Sequence, residues 1–113
     1  MEEQRSRVIQ EYVPGKQVTL AHVIANPDKM LYTKLGLSDA GAIGILTLTP
    51  TETAIIAADI ATKAAHVELG FLDRFTGSLI ISGEVAAVEM ALQGINDFLK
   101  EKLHYATAEV TRS

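Results

Sequence analysis

The chain has 113 residues, a formal net charge of −4, no cysteine, and 48% hydrophobic but only 5% aromatic residues. That length sets a single domain with a core drawn mostly from Ala, Ile, Leu and Val, and the lack of cysteine excludes disulfide scaffolds, thiolate metal sites and Cys nucleophiles. A net negative chain with scattered basic residues argues against nucleic-acid and anionic-membrane partners, which need a cationic surface.

Met1 to Arg7 is charged and lacks the apolar stretch of a signal peptide. No apolar run approaches the ~18 residues that a membrane span requires, so a soluble cytoplasmic protein is expected. Arg7 to Val13 alternates loosely, carries the β-formers Val8, Ile9, Tyr12 and Val13, and ends at the turn signal Pro14-Gly15. A strand this short, set apart by a turn, is not stable alone; it needs its own sheet or another copy of the chain.

Gln17 to Ala25 (QVTLAHVIA) reads as a buried strand. Asn26 is expected to cap a short helix with Pro27 in its first position, Leu31 and Leu35 on its buried side, and Gly36 closing it. Ala42 to Leu48 is a second buried strand. Thr49, Pro50 and Glu52 make a capping box for a helix from Thr51 to Ala65. That helix is rich in Ala, carries Ile55, Ile56 and Ile60, and shows little polarity beyond Glu52, Asp59, Thr62 and Lys63. Its small residues let it approach neighbours closely on more than one side.

His66 to Phe71 and Ser78 to Ile81 read as strands joined through Asp73, Arg74, Phe75, Thr76 and Gly77. A third helix follows Ser82-Gly83 and runs to Leu103, with Val85, Val88, Leu92, Ile95 and Leu99 as its core stripe. Tyr105 to Val110 alternates and is expected to be one more strand. From Ala42 onward the order is strand, helix, strand, strand, helix, strand. That order predicts an α+β, ferredoxin-like fold, an antiparallel sheet with two helices on one face, the earlier strand and helix being an N-terminal addition.

Candidate chemistry is sparse. His22, His66 and His104 have no partner at metal-ligand spacing; His22 reads as a hydrogen-bonded structural histidine within a strand, the other two as solvent-facing. Gly41-Ala42-Ile43-Gly44 lacks the preceding strand of a phosphate-binding turn, and Gly41 instead supplies unusual backbone angles or a flexible joint. Asp73 and Arg74 are expected to be a hairpin ion pair or an oligomer contact rather than catalytic groups. No catalytic residue, metal site or cofactor is expected.

Three stretches, QEYVPGKQVTLAHVIANP, AIGILTLTPTETAIIAADIATKAAHVELGFLDRFTG and SGEVAAVEMAL, resemble the circularly permuted branch of the bacterial microcompartment (BMC) shell domain, the EutS and PduU type with choline-compartment relatives. The resemblance runs from Val8 to Arg112. It implies an N-terminal β segment over residues 1–15 and a permuted BMC shell domain over 16–113, since HVIANP and its helix stand first here and last in ordinary members. It implies hexagonal tiles packed edge to edge, with Lys63 matching the edge lysine and Asn26 and Asp59 beside it. Ala25-Asn26 replaces the arginine of the ordinary Pro-Arg-Pro-like edge motif, which weakens that lateral interlock. Residues Val8, Ile9, Gln10, Glu11, Tyr12 and Val13 of six subunits would form an axial β-barrel that blocks the central channel. The hairpin carrying Asp73, Arg74 and Phe75 would lie near the axis, shorter than an ordinary pore loop, and Gly41 is a possible bend point.

The function so implied is structural: a homo-oligomeric, hexameric component of an ethanolamine, propanediol or choline utilisation compartment, in contact with other shell proteins and with encapsulated cargo, and not an enzyme. Two alternatives stand beside it. An oligomeric ferredoxin-like regulatory module would bind a nucleotide or metabolite saturably in a subunit cleft. A small enzyme using Asp73, Arg74 or a histidine would keep turnover when unassembled.

Overall fold

The computed structural model describes residues 15–113. A five-stranded sheet in the order β3-β4-β2-β1-β5 is built from β1 (Gln17–Ala25), β2 (Ala42–Thr49), β3 (Glu68–Asp73), β4 (Ser78–Gly83) and β5 (Thr111–Arg112). Three helices accompany it: α1 (Lys29–Leu35), α2 (Thr53–Ala64) and α3 (Val85–Leu103). Period-two alternation sends Ala42, Leu46 and Leu48 of β2 and Leu79 and Ile81 of β4 toward α2 and α3, where they join Val88, Leu92, Ile95 and Leu99 in one buried cluster. On β1 the inward residues are Val18, Ala21 and Val23, a three-residue step followed by a two-residue step. The register shift between Val18 and Leu20 accounts for it, because a bulge inserts one residue and restores the phase beyond.

The expected α+β class holds, but the sheet is mixed rather than antiparallel. β5 runs parallel to β1, pairing His22 with Thr111 and Val23 with Arg112. The chain leaving α3 turns back beside Gln17, with Ala106 N–H on the Lys16 carbonyl (3.0 Å) and Val18 N–H on the Ala106 carbonyl (2.8 Å), and so follows β1 in its own direction. Nor is Tyr105 to Val110 a strand. The Ala108 carbonyl is taken by the Asn96 side-chain amide at 2.7 Å, which interrupts the ladder until Thr111. β1 is not an appendage either: it lies inside the sheet between β2 and β5.

Helix entries also differ from expectation. Asn26 does not cap α1; Asp28 does, its carboxylate accepting the Met30 N–H at 2.9 Å. The residue before a proline is kept out of the right-handed helical region, and Asn26 adopts a left-handed φ of 50°. Gly36 closes α1 in the left-handed conformation, as expected. The buried residue of α1 is Tyr32, whereas Leu31 and Leu35 are 38% and 42% exposed. Tyr32 donates no side to the helix-packed cluster; its hydroxyl accepts the Gly41 N–H at 3.1 Å. Thr49 belongs to β2, paired with Gln17, so it is unavailable as a cap, and α2 begins at Thr53 through short-range bonds such as Thr53 N–H to the Pro50 carbonyl. β3 starts two residues later than expected, after a tight Val67 N–H to Ala65 carbonyl bond.

Candidate functional site

The stripe that α2 turns inward is Ala54, Ala57, Ala58 and Ala61, at helical spacing. Small residues also let α2 and α3 approach closely where Ala64 meets Gly94: a Cβ built on Gly94 would stand 3.1 Å from the Ala64 Cβ. The larger side chains therefore point away, and Ile55 and Ile56 remain 48% and 41% exposed. A helix that hides alanines and exposes Ile55 and Ile56 reverses the ordinary ranking of burial. Contiguous apolar surface of this kind marks an interaction face.

A second apolar face lies on the edge strand β3. Leu69, Phe71 and Leu72 are all more than two-fifths exposed, and because neighbouring residues point to opposite sides, both faces of this edge are apolar. Unpaired edges of this sort attract other chains unless they are covered. Beyond β3 the hairpin tip is tightly specified. The Asp73 carboxylate accepts Phe75 N–H at 2.8 Å and Thr76 N–H at 3.3 Å, and Gly77 N–H reaches the Asp73 carbonyl at 2.9 Å. The Phe75 and Thr76 donors hold the Asp73 carboxyl below its ordinary pKa. Asp73 and Arg74 are thus not the expected ion pair: the carboxylate caps its own turn, and the Arg74 guanidinium lies 4.9 Å from the Phe75 ring centroid.

Of the remaining sequence-predicted residues, Lys63 and Asp59 are brought together, Nζ to carboxylate at 2.8 Å, one helical turn apart and both well exposed. They rim a shallow groove between α2 and α3 that Ile56, Ile60, Gly94 and Phe98 also line. Asn26 is exposed at the end of β1, its N–H on the Gly41 carbonyl at 2.8 Å. Gly41 has φ of 103°, a conformation that favours glycine. Val8 to Val13 lie outside the described residues.

His22 is a structural histidine. Its Nδ1 lies 2.6 Å from the Thr111 hydroxyl and its Nε2 lies 2.8 Å from the Ser113 hydroxyl, tying β1 to the β5 end. Thr111 donates to the Ala21 carbonyl at 3.3 Å, so it accepts from Nδ1–H, leaving Nε2 to accept from Ser113. His66 and His104 are exposed. Among the described residues no group of three or more His, Asp or Glu side chains is arranged to hold a metal ion, and no helix is long and apolar enough to cross a membrane. Sequence reasoning missed the outward Ile55 and Ile56 and the exposed β3 edge. The signal for the two isoleucines was present in the alanine periodicity of α2, which reads equally well as an inner face.

A helix-backed sheet with apolar surface left uncovered on its edge strand and on a helix defines a class of small α+β domain built to be a subunit. Residues 42–112 match the BMC domain family model, and the chain belongs to that family. It is 61% identical over 108 residues to the bacterial microcompartment shell protein PduU of Salmonella typhimurium, covering 95% of this chain and 93% of that protein. It is 59% identical over 109 residues to the shell protein EutS of Escherichia coli, covering 96% and 98%. Among solved structures, a CutR flat hexamer superposes with a TM-score of 0.85 at 52% identity, covering 89% of this chain and 94% of that one. The chain is accordingly a structural shell protein of a bacterial microcompartment, not an enzyme.

Proposed function

We propose that copies of this chain close into a hexameric tile of a cytoplasmic microcompartment shell, where the tile helps to enclose enzymes and a volatile aldehyde intermediate. The observation that carries this reading is the exposed apolar surface: among the described residues, Ile55 and Ile56 on α2 and Leu69, Phe71 and Leu72 on β3 are each 41–49% exposed. The similarity to a relative solved as a flat hexamer supports it.

Within this reading Lys63, with Asp59 and Asn26, stands at the tile edge, where a long flat-lying side chain reaches backbone carbonyls of the next tile. Residues Val8 to Val13, outside the described residues, form the axial barrel, and the Asp73–Phe75 hairpin lies near the axis. The permutation is supported by the family match beginning at β2 while β1, outside the matched stretch, supplies an interior strand; the division of the chain between residues 15 and 16 belongs to the same proposal. Gly41, with its glycine-favouring φ, is the bend point of a tile that departs from flatness. Other shell proteins and cargo are its partners, the cargo meeting the barrel.

Electron microscopy of wild type and Lys63→Ala tests the edge role. Extended sheets or tubes from wild type and dispersed particles from the variant are expected; identical arrays from both would remove Lys63 from the edge. Deleting residues 1–13 without loss of cargo association would remove the docking role of the barrel.

A further inference from the structure

A hollow of about 530 Å³ opens between the α1–β2 loop, the start of β3 and the first turn of α3, with Ser38, His66, Glu68, Ser82, Glu84 and Ala87 in its walls. Ser82 is only 1% exposed, and its Oγ has no hydrogen-bond partner among the described residues. A buried hydroxyl in that state weakens the fold, so a serine here serves something that alanine would not. The start of α3 is open in the same way. Its first intrahelical bond runs from Val88 N–H to the Glu84 carbonyl at 2.9 Å, which leaves the N–H groups of Val85, Ala86 and Ala87 without a helical acceptor. The Glu84 side chain makes no capping bond, and no acidic residue stands in the first turn. A helix start of this kind accepts a carboxylate or another anionic group.

The rim has the opposite sign. Glu68 and Glu84 are exposed carboxylates, and among the described residues no Lys or Arg lines the hollow. A phosphate or other free dianion is repelled there. A bare metal ion is not suited either, because among the described residues no three His, Asp or Glu side chains are arranged to hold one. We propose that the hollow binds a small zwitterion of the amino-acid class. Its carboxylate sits on the α3 N-terminus and the Ser82 hydroxyl, and its ammonium group on the Glu68 and Glu84 carboxylates. Such a ligand matches both potentials within one hollow, which a simple anion or a simple amine does not. The walls all come from one subunit, so the site adds a small-molecule function to the shell role and does not depend on how copies assemble.

Amide resonances of the isotope-labelled full chain, followed during titration, test it. The probes are glycine and β-alanine, with acetate and methylammonium as the separate halves. Saturable shifts at Val85, Ala86 and Ala87 are expected with at least one zwitterion, at an affinity about tenfold or more above that of either half. Ser82→Ala should weaken this binding about tenfold, and Glu68→Gln should weaken it too, both with unchanged far-UV circular dichroism. Free of ligand, Ser82→Ala should melt no lower than wild type, because it removes a hydroxyl that the fold leaves unpartnered. No saturable shift with either zwitterion, or acetate bound as tightly as the zwitterions, would overturn the proposal. So would equal binding by Ser82→Ala and wild type. A ligand-free Ser82→Ala chain that melts well below wild type would also overturn it, since the hydroxyl would then serve the fold.

Discussion

Gly77→Ala separates two reasons for a glycine at the hairpin tip. Gly77 and Gly36 have nearly the same left-handed φ, 77° and 71°. A Cβ on Gly36 would meet nothing within 4 Å, whereas a Cβ on Gly77 would lie 2.3 Å from the Leu48 carbonyl oxygen and 3.2 Å from the Thr51 Cα, both backbone atoms unable to swing aside. The backbone strain, about 1–2 kcal/mol, and the stiffening of the unfolded chain apply to both substitutions and cancel in the comparison. Overlap at Gly77 adds about 1–3 kcal/mol and pushes apart the Leu48 N–H to Gly77 carbonyl bond. At about 4 °C per kcal/mol for a domain of this size, Gly77→Ala should melt about 4–12 °C below Gly36→Ala. Thermal denaturation followed by circular dichroism at one protein concentration measures this, since assembly couples melting to concentration. Equal melting temperatures would refute the reasoning, because the close approach of the tip to β2 would then carry no energy.

Three further outcomes follow from the same geometry. Lys63→Ala should change the stability of the folded subunit by under about 0.5 kcal/mol, because its pair with Asp59 is exposed and one turn apart on a helix; a larger fall in urea unfolding would make the pair structural. Asp73 binds its proton less readily in the folded tip than in the unfolded chain, so its contribution is complete above the ordinary carboxylate pKa and lost as pH falls through the lowered one. The amide resonances of Phe75 and Thr76 should therefore titrate with a midpoint below the ordinary aspartate value, and Asp73→Asn should abolish that titration; a midpoint at or above the ordinary value would contradict it. His22→Ala removes both side-chain bonds to the β5 end, each worth about 1 kcal/mol. Hydrogen exchange should quicken at Ser113 and Ala25, whose backbone groups pair there, while the β1–β2 ladder keeps its protection; equal exchange throughout would mean that the histidine holds nothing.

Periodicity carried most of the fold. The α3 stripe is buried from Val88 to Leu99 as its spacing requires, with Val85 partly buried at its start, and the β-rich runs of β1, β2 and β4 form interior strands. Local chemistry misled where long-range pairing took the residue first: Thr49 looked like a cap and is held in the β1–β2 ladder, while Ala108 lay in an alternating run and gives its carbonyl to Asn96. Neither competitor is visible from neighbours in the chain, because each partner is distant along it. The same limit applies to the candidate surface. An alanine stripe and an isoleucine stripe on one helix are both apolar, and which faces inward depends on how closely a second helix can come. That approach is close where Gly94 meets Ala64, a contact between elements separated by the β3–β4 hairpin.

The mass of the full chain in solution, by native mass spectrometry at micromolar concentration, tests the assembly claim most directly. Six copies of the 12.2 kDa chain in one particle, with Ile55, Ile56 and the β3 edge protected from solvent exchange or labelling, is the predicted result. A well-folded particle of one copy at high concentration, with those side chains still exposed, would contradict it.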